Sequence, residues 1–373
     1  MSGTADHEPT TASAPSPAAD VRRAVAAAHQ LYRAQRYREA SDQCMRVLRD
    51  LPDQFDALYL HALTCYRAGD RRTADHLIER ACRVCPEILR FDHLVGLLEQ
   101  RGQADWLSVH ETRLREFRRS QQIDAYVVSY PKCGRTWVRM MLGHYLLRER
   151  AGDPLEVFGL TRREPGVPTV EFTHDDYPQL KPSGRLVADK SIYSGKRVVL
   201  LVRDPRDVLV SYYFQYTRRG AKERANDAQF DGTISDFIRQ DIGALRSIVA
   251  FYNIWVRNRT VPTSLHLLRY EALHHDPASE LRALIDFLGL PDFGATARDN
   301  AIRFATFENM RRLEETDALR NDRLRSTVAG DPEAFKVRRG VVGGYRDYLS
   351  ADDIAYVEDH IARELDAFYP WYR

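Results

Sequence analysis

VVSYPKCGRTWVRMML, residues 127–142, runs from a β-branched segment through a Pro and a Gly straight into a helix-forming stretch. The turn between them carries two cations, Lys132 and Arg135. A loop that opens a helix offers unpaired backbone N–H groups and the positive end of the helix dipole. Gly134 lets the backbone approach a ligand closely, Lys132 adds a point charge, and Thr136 places a hydroxyl at the cap. The stretch is either a βα turn with incidental charges or a cradle for an anion. The choice depends on what surrounds it.

Downstream, strand-like segments appear at DAYVVSY (124–130), RVVLLVR (197–203) and SLHLLRY (264–270). Helical segments intervene, notably 136–150, 205–216, 234–258 and 278–289. Near-continuous apolar strands alternating with helices predict a parallel sheet covered on both faces, in a domain over 123–373. Ligands of such sheets sit at the carboxyl ends of the strands, which makes the strand-end residues the ones to inspect.

Upstream, residues 21–119 are helical in period, and they repeat. LYRAQRYREA (31–40) aligns with CYRAGDRRTA (65–74) at a spacing of 34, with Tyr32 on Tyr66, Ala40 on Ala74 and Pro52 on Pro86. That period, with small residues where helices cross, resembles the tetratricopeptide repeat, and a third, degenerate hairpin follows near Arg101-Gly102. The alternative is a plain helical bundle. Residues 1–20, rich in Ser, Thr, Ala and Pro, are expected to form a disordered tail.

Composition excludes several function classes. Basic and acidic residues nearly cancel at +2, so nothing global argues for nucleic acid or an acidic membrane. The five cysteines include one C-x-x-C, Cys82 and Cys85, with no second pair to complete a zinc site. The longest apolar run, VVLLV at 198–202, is strand-sized, so no transmembrane segment is expected. The N-terminus lacks a basic n-region and an apolar h-region, and the expected location is cytoplasmic. The Arg/Ala-rich character points to a bacterial chain.

Two further clusters lie at loop positions. In LLVRDPRDVLVSYY (200–213) a buried strand ends at Arg203, Pro205 sits where a helix begins, and Asp207 falls in its first turn. Arg203 and Ser211 can grip a phosphate, Arg through a bidentate fork. FKVRRGVVGGYRDYLS (335–350) puts two arginines before Gly340 and a Gly-Gly pair, a basic loop suited to another phosphate. The nucleotide triphosphatase pattern G-x-x-x-x-G-K-[ST] is missing, which reduces ATP hydrolysis to a minor alternative.

Together these clusters resemble the sulfotransferases that use 3′-phosphoadenosine 5′-phosphosulfate (PAPS). YPKCGRTW looks like that family's 5′-phosphosulfate loop, VRDPRDVLVS its 3′-phosphate motif and VRRG its C-terminal R-K-G. LRYEAL (268–273) and ATFENM (305–310) are similar to its Y-E-D-L and T-S-F-x-x-M. The resemblance implies an α/β fold, a P-loop-type parallel sheet flanked by helices and preceded by the all-α tetratricopeptide-like domain. It implies that Lys132 stabilises the leaving phosphate oxygen while backbone groups of Cys133, Gly134, Arg135, Thr136 and Trp137 cradle the 5′-phosphate. Trp137 lies near the adenine, and Arg203, Ser211, Arg338, Arg339 and Gly340 hold the 3′-phosphate. Tyr270 meets the adenine side, with Thr306, Phe307 and Met310 lining the same pocket.

Three positions depart from the family's pattern. Its loop Ser is Cys133, its first loop Thr is Arg135, and a Lys two residues before the base is Phe172. Lys190 is a candidate to replace that last charge. A helix N-terminus also lowers thiol pKa, so a reactive thiol at Cys133 is a minor alternative.

The transfer itself resembles phosphoryl transfer, a loose in-line displacement helped by positioning and electrostatics, with no metal required. The base is assigned to His174 in VEFTHDDYP (170–178), a strand-end imidazole that matches the family's T-H pair. Alternatives for His174 are a structural role or a metal ligand with Asp175 and Asp176, and Glu171 is the runner-up base. His144, on an apolar helix face, reads as core. The polar stretch between Arg218 and Gly232 reads as an acceptor lid or a disordered connection.

The acceptor class stays open among small molecules, saccharides and lipids. The repeats are expected to recruit a protein partner or mediate self-association. The competing reading is a nucleotide-binding pseudoenzyme acting as a repeat-domain scaffold.

Overall fold

The computed structural model describes residues 17–91, 98, 102, 104–147, 166–219, 230–319, 324 and 331–373. The chain forms two compact units, dividing between Arg119 and Ser120.

The first unit is helical. Helices α1 (Pro17–Arg33), α2 (Tyr37–Asp50), α3 (Phe55–Arg67) and α4 (Arg71–Val84) pack each on the next. The sequence period reappears in the backbone. Gln35 and Gly69, 34 residues apart, both turn through positive φ, at 58° and 89°. The paired alanines Ala28 and Ala62, and Ala40 and Ala74, have no exposed surface, because at those helix crossings a larger side chain has no room. Helix α1 begins at Pro17, inside the stretch expected to be tail, and Pro is tolerated in the first helical turn. The third hairpin starts as a 3₁₀ turn, Pro86–Phe91, and most of residues 92–103 lies outside the described residues. Helix α5 (Trp106–Gln121) follows. Its Trp106 stacks on Tyr66 at 4.3 Å, and its His110 shares a 2.9 Å hydrogen bond with the Tyr59 hydroxyl.

The second unit is built on four parallel strands in the order β2-β1-β3-β4: β1 (Ala125–Ser129), β2 (Val170–Thr173), β3 (Arg197–Val202) and β4 (Ser264–Arg269). Central β1 is buried throughout, whereas edge strand β2 alternates between buried and half-buried, as an edge does. Its four residues are too few to read as a strand from pattern alone, beyond the strand-end position of His174. Strands β1 and β3 are neighbours, with Ser129 opposite Leu201, although β2 lies between them in sequence. That reversal of strand order opens a crevice at their carboxyl ends, where the Lys132 and Arg203 loops emerge.

Helices α6 (Arg135–Leu147), α7 (Pro205–Phe214), α8 (Ile234–Arg239), α9 (Leu245–Arg257), α10 (Tyr270–His275), α11 (Pro277–Leu288), α12 (Gly294–Phe304), α13 (Phe307–Glu315) and α14 (Ala351–Glu364) complete the unit. Two differ from expectation. The single helix expected over 234–258 is broken between α8 and α9, where Gly243 takes φ 73°. A Cβ there would meet the Tyr212 ring at 2.8 Å and the Gln179 carbonyl at 2.9 Å. The helix expected over 205–216 ends at Phe214 and continues as a π-helical turn, Gln215–Arg219. Such turns recur at functional sites. Residues 148–150 and most of the 218–232 stretch lie outside the described residues. No helix among the described residues is long and apolar enough to cross a membrane.

The helical unit carries a built-in acid sensitivity. Burial depresses the imidazoles of His29 and His110 to about 4, and lowers that of His61. The unfolded chain, with ordinary histidines near 6.5, binds more protons between those values, so stability is full above pH 6.5 and falls as pH drops toward 4. Amide exchange over residues 17–91, corrected for intrinsic rates, is expected to lose protection at pH 5 relative to pH 7.5. Equal protection at both would contradict this account.

Candidate active site

The site is assembled from three loops that leave the carboxyl edge of the sheet. In the loop after β1, Lys132 has φ 72° and Gly134 φ 98°, so the backbone twice enters the left-handed region before helix α6 begins at Arg135. Gly134 is required twice over: besides its φ, a Cβ would meet the Tyr270 ring at 2.8 Å. The Lys132 ammonium donates to Gln215 Oε1 at 3.3 Å, in the π-helical turn.

The Cys133 side chain turns the other way, into the core, with its sulfur 3.4 Å from the Tyr252 hydroxyl. Burial pushes this thiol up to about 12, so it stays protonated and the reactive-thiol alternative falls. Only the Cys133 backbone can face the site.

Arg203, at the end of β3, joins the loops. Its guanidinium lies over the Tyr270 ring at 4.2 Å, donates to the Val341 carbonyl at 2.9 Å and to the Lys132 carbonyl at 3.4 Å, and pairs with Asp207 at 3.5 Å. Its buried Nε finds no partner among the described residues. Tyr252 clamps the Arg203 backbone, its hydroxyl accepting from the amide at 2.9 Å and donating to the carbonyl at 2.7 Å. That hydroxyl has spent its proton on the carbonyl, so the Cys133 thiol is the donor in their contact.

Asp207 does more than suit a helix dipole. Buried in the first turn of α7, it accepts from the amides of Gly343 at 2.8 Å and Tyr345 at 3.0 Å, tying the C-terminal basic loop to the sheet. In that loop Arg338 lies between the Phe214 and Tyr348 rings, at 4.5 and 4.9 Å, and pairs with Glu333. Its Nε is likewise buried without a partner among the described residues. Arg339 pairs with Asp347 at 2.7 Å. The Gly340 carbonyl accepts from His274 Nε2 at 3.0 Å, and a Cβ on Gly340 would meet Phe307 at 2.6 Å.

One cavity is lined by Lys132, Gly134, Arg135, Thr136, Trp137, His174, Arg203, Ser211, Tyr270, Thr306, Phe307, Met310, Arg338, Arg339 and Gly340; of the residues assigned to the donor site and the base, Cys133 alone is missing from the lining. Trp137 meets Tyr270 edge-on at 5.6 Å, and the Thr306 hydroxyl caps α13. Sequence reasoning missed Gln179, Asp207 as a tie, Gln215, His274 and Lys336, which also line the cavity. Two of them carried a signal, Asp207 by its place within VRDPRD and Lys336 by its place in the basic stretch FKVRRG.

His174 Nδ1 lies 2.9 Å from the Ser129 carbonyl. A carbonyl only accepts, so Nδ1 carries the proton and Nε2 keeps its lone pair. Burial first, then the charge of Arg135, holds this imidazole well below its ordinary range, with Lys336 and Arg139 adding to the effect. The metal-ligand alternative fails: Asp175 is held by Tyr193, Trp255 and Lys190, Asp176 pairs with Lys181, and neither carboxylate lines the cavity. Lys190 is thereby spent on Asp175 and does not reach the cavity, so it cannot replace the charge missing at Phe172. Glu171 is also outside the cavity lining, and His144 stacks on Phe304 at 4.4 Å, away from it.

The loop geometry predicts that Gly134→Ala destabilises the fold by about 1–3 kcal/mol, through forced φ and the Tyr270 clash. Gly184→Ala, with nothing within 4 Å of its new methyl, should stay within about 0.5 kcal/mol of the parent. Urea unfolding of both variants checks this, and equal stabilities would contradict it.

Comparison with known proteins bears on the same unit. The family model described as a sulfotransferase domain matches residues 122–369. Flavonol 3-sulfotransferase of Flaveria bidentis is 24% identical over 274 residues, covering 65% of this chain and 82% of the relative. Cytosolic sulfotransferase 17 of Arabidopsis thaliana is 24% identical over 273 residues, covering 65% and 75%. Among solved structures, a mouse sulfotransferase complexed with PAP aligns over 66% of this chain and 86% of its own, at 18% identity and a TM-score of 0.42. With its matched domain spanning the whole sheet and all three loops, the chain belongs to the PAPS-dependent sulfotransferase family.

Proposed function

We propose that the cavity binds PAPS and passes its sulfuryl group to an acceptor hydroxyl or amine, with His174 as general base. The observation that carries the reading is the convergence of Lys132, Arg203, Arg338 and Arg339 on one cavity in a nearly neutral chain. PAPS carries anionic groups at both ends of one nucleoside, and the guanidinium groups of Arg203 and Arg338, both lining the cavity, suit them as charge-assisted donors. The Lys132 loop receives the 5′ end, and Arg203, Ser211 and the 338–340 loop receive the 3′-phosphate.

In the transfer, the acceptor oxygen or nitrogen forms a bond to sulfur as the bond from sulfur to the phosphate oxygen breaks. The electron pair leaves on that phosphate oxygen, beside Lys132. The acceptor's proton goes to His174 Nε2, which the Ser129 hydrogen bond leaves free to take it. The acceptor remains a small molecule, saccharide or lipid in this reading, the location cytoplasmic, and the helical unit a tetratricopeptide-like module for a protein partner or a second copy.

Adenosine 3′,5′-bisphosphate should raise the melting temperature, whereas ATP with Mg²⁺ should not; the reverse pattern would favour a kinase. His174→Ala is expected to lower PAPS turnover at least 100-fold with bisphosphate affinity within twofold, and retained turnover would remove the base assignment. Because the free-enzyme imidazole is depressed, kcat/KM for PAPS should stay level as pH falls through 6.5 and decline only below it. A decline centred at 6.5 would contradict a depressed, neutral His174.

A further inference from the structure

The chain leaves His174 through an unusual backbone. Asp175, Asp176 and Tyr177 are three consecutive non-glycine residues at positive φ, 53°, 69° and 52°. Each is sparsely populated for a residue with a Cβ, and a run of three persists only where its surroundings over-determine it. The surroundings here are a buried polar knot. Asp175 Oδ1 accepts from the Tyr193 hydroxyl at 2.8 Å. Its Oδ2 accepts from Trp255 Nε1 at 2.9 Å and from the Lys190 ammonium at 2.8 Å. The side chains of Asp175 and Lys190 are each 3% exposed. The Asp175 amide also closes onto Thr173 Oγ1 at 2.9 Å, and Asp176 pairs with Lys181. At the far end the Pro178 carbonyl accepts from Ser247 at 2.9 Å.

None of Asp175, Lys190, Tyr193 or Trp255 lines the cavity, so the knot lies outside it. What it fixes is the exit of the chain from His174. The entrance is fixed by the pairing of β2 with β1, and the ring by the Ser129 carbonyl.

We propose that Asp175 is the positioning residue for the base: its buried carboxylate, gripped by Tyr193, Trp255 and Lys190, holds the left-handed turn that keeps His174 Nδ1 on Ser129 and Nε2 facing the cavity. The inference rests on the base assignment above. It gives Lys190 a role as the counter-ion that makes a buried carboxylate tolerable.

Asp175→Asn tests it directly. Three donors face the carboxylate, and an amide offers one oxygen and turns its NH₂ onto a donor. Tyr193→Phe is the milder variant, leaving the carboxylate held by Trp255 and Lys190, and it carries the test if Asp175→Asn does not fold. The readouts are ¹⁵N-histidine NMR of His174 and slow hydrolysis of PAPS to adenosine 3′,5′-bisphosphate and sulfate. Arg135, Arg139 and Lys336, the cations acting on this ring, stay in place in both variants. Wild type should show one neutral tautomer, protonated on Nδ1. Asp175→Asn should show a second tautomer with hydrolysis down about 10- to 100-fold, and Tyr193→Phe the same change with about a threefold loss, bisphosphate Kd moving less than twofold. A purely structural role would lower the melting temperature without altering the tautomer. Folded variants with the wild-type His174 spectrum and rate overturn the proposal. If His174→Ala also hydrolyses PAPS at the wild-type rate, the base assignment itself fails.

Discussion

The guanidinium of Arg203 is the joint on which the site depends. It touches the loop after β1 through the Lys132 carbonyl, the C-terminal loop through the Val341 carbonyl, α7 through Asp207 and α10 through the Tyr270 ring. Its backbone is held by Tyr252, whose hydroxyl also takes the Cys133 thiol hydrogen bond. One side chain thus sets the spacing of segments far apart in sequence. A cation in that position is costly to bury, and it is offset by Asp207, the aromatic face and two carbonyls.

Much of this was legible in the chain. The apolar segments at 197–203 and 124–130, alternating with helical stretches, read as buried parallel strands, and a cation at or just beyond each carboxyl end marked the crevice. The 34-residue period was readable because small residues must recur where helices cross. Less legible were features decided by tertiary contact. The break between α8 and α9 follows from Gly243 packing against Tyr212 and Gln179, which a helical period cannot reveal. The π-helical turn that brings Gln215 to Lys132 has no local signature. His274 reaches the Gly340 carbonyl across 66 residues of chain, a contact no motif predicts.

The three departures from the family pattern have distinct structural outcomes. Cys133 suits a position whose side chain faces the core: a protonated thiol can donate to Tyr252 without a charge to bury. Arg135 opens α6 at the cavity and acts electrostatically on His174. Phe172 lies beneath the Arg139 guanidinium, 4.5 Å from ring centre to carbon, so the strand presents an aromatic face to a helix-borne cation. Positive charge is retained around His174 while its source moves from strand to helix.

The central claim is that cations from three loops hold the two anionic ends of one adenosine nucleotide. Calorimetric titration of the intact chain with adenosine 3′,5′-bisphosphate and with adenosine 5′-monophosphate tests it most directly, since the two ligands differ only in the phosphate assigned to Arg203, Ser211 and the 338–340 loop. The account predicts at least a 100-fold tighter Kd for the bisphosphate, about 2.7 kcal/mol, and collapse of that difference in Arg203→Ala. Equal affinity of the wild-type chain for the two nucleotides would contradict it.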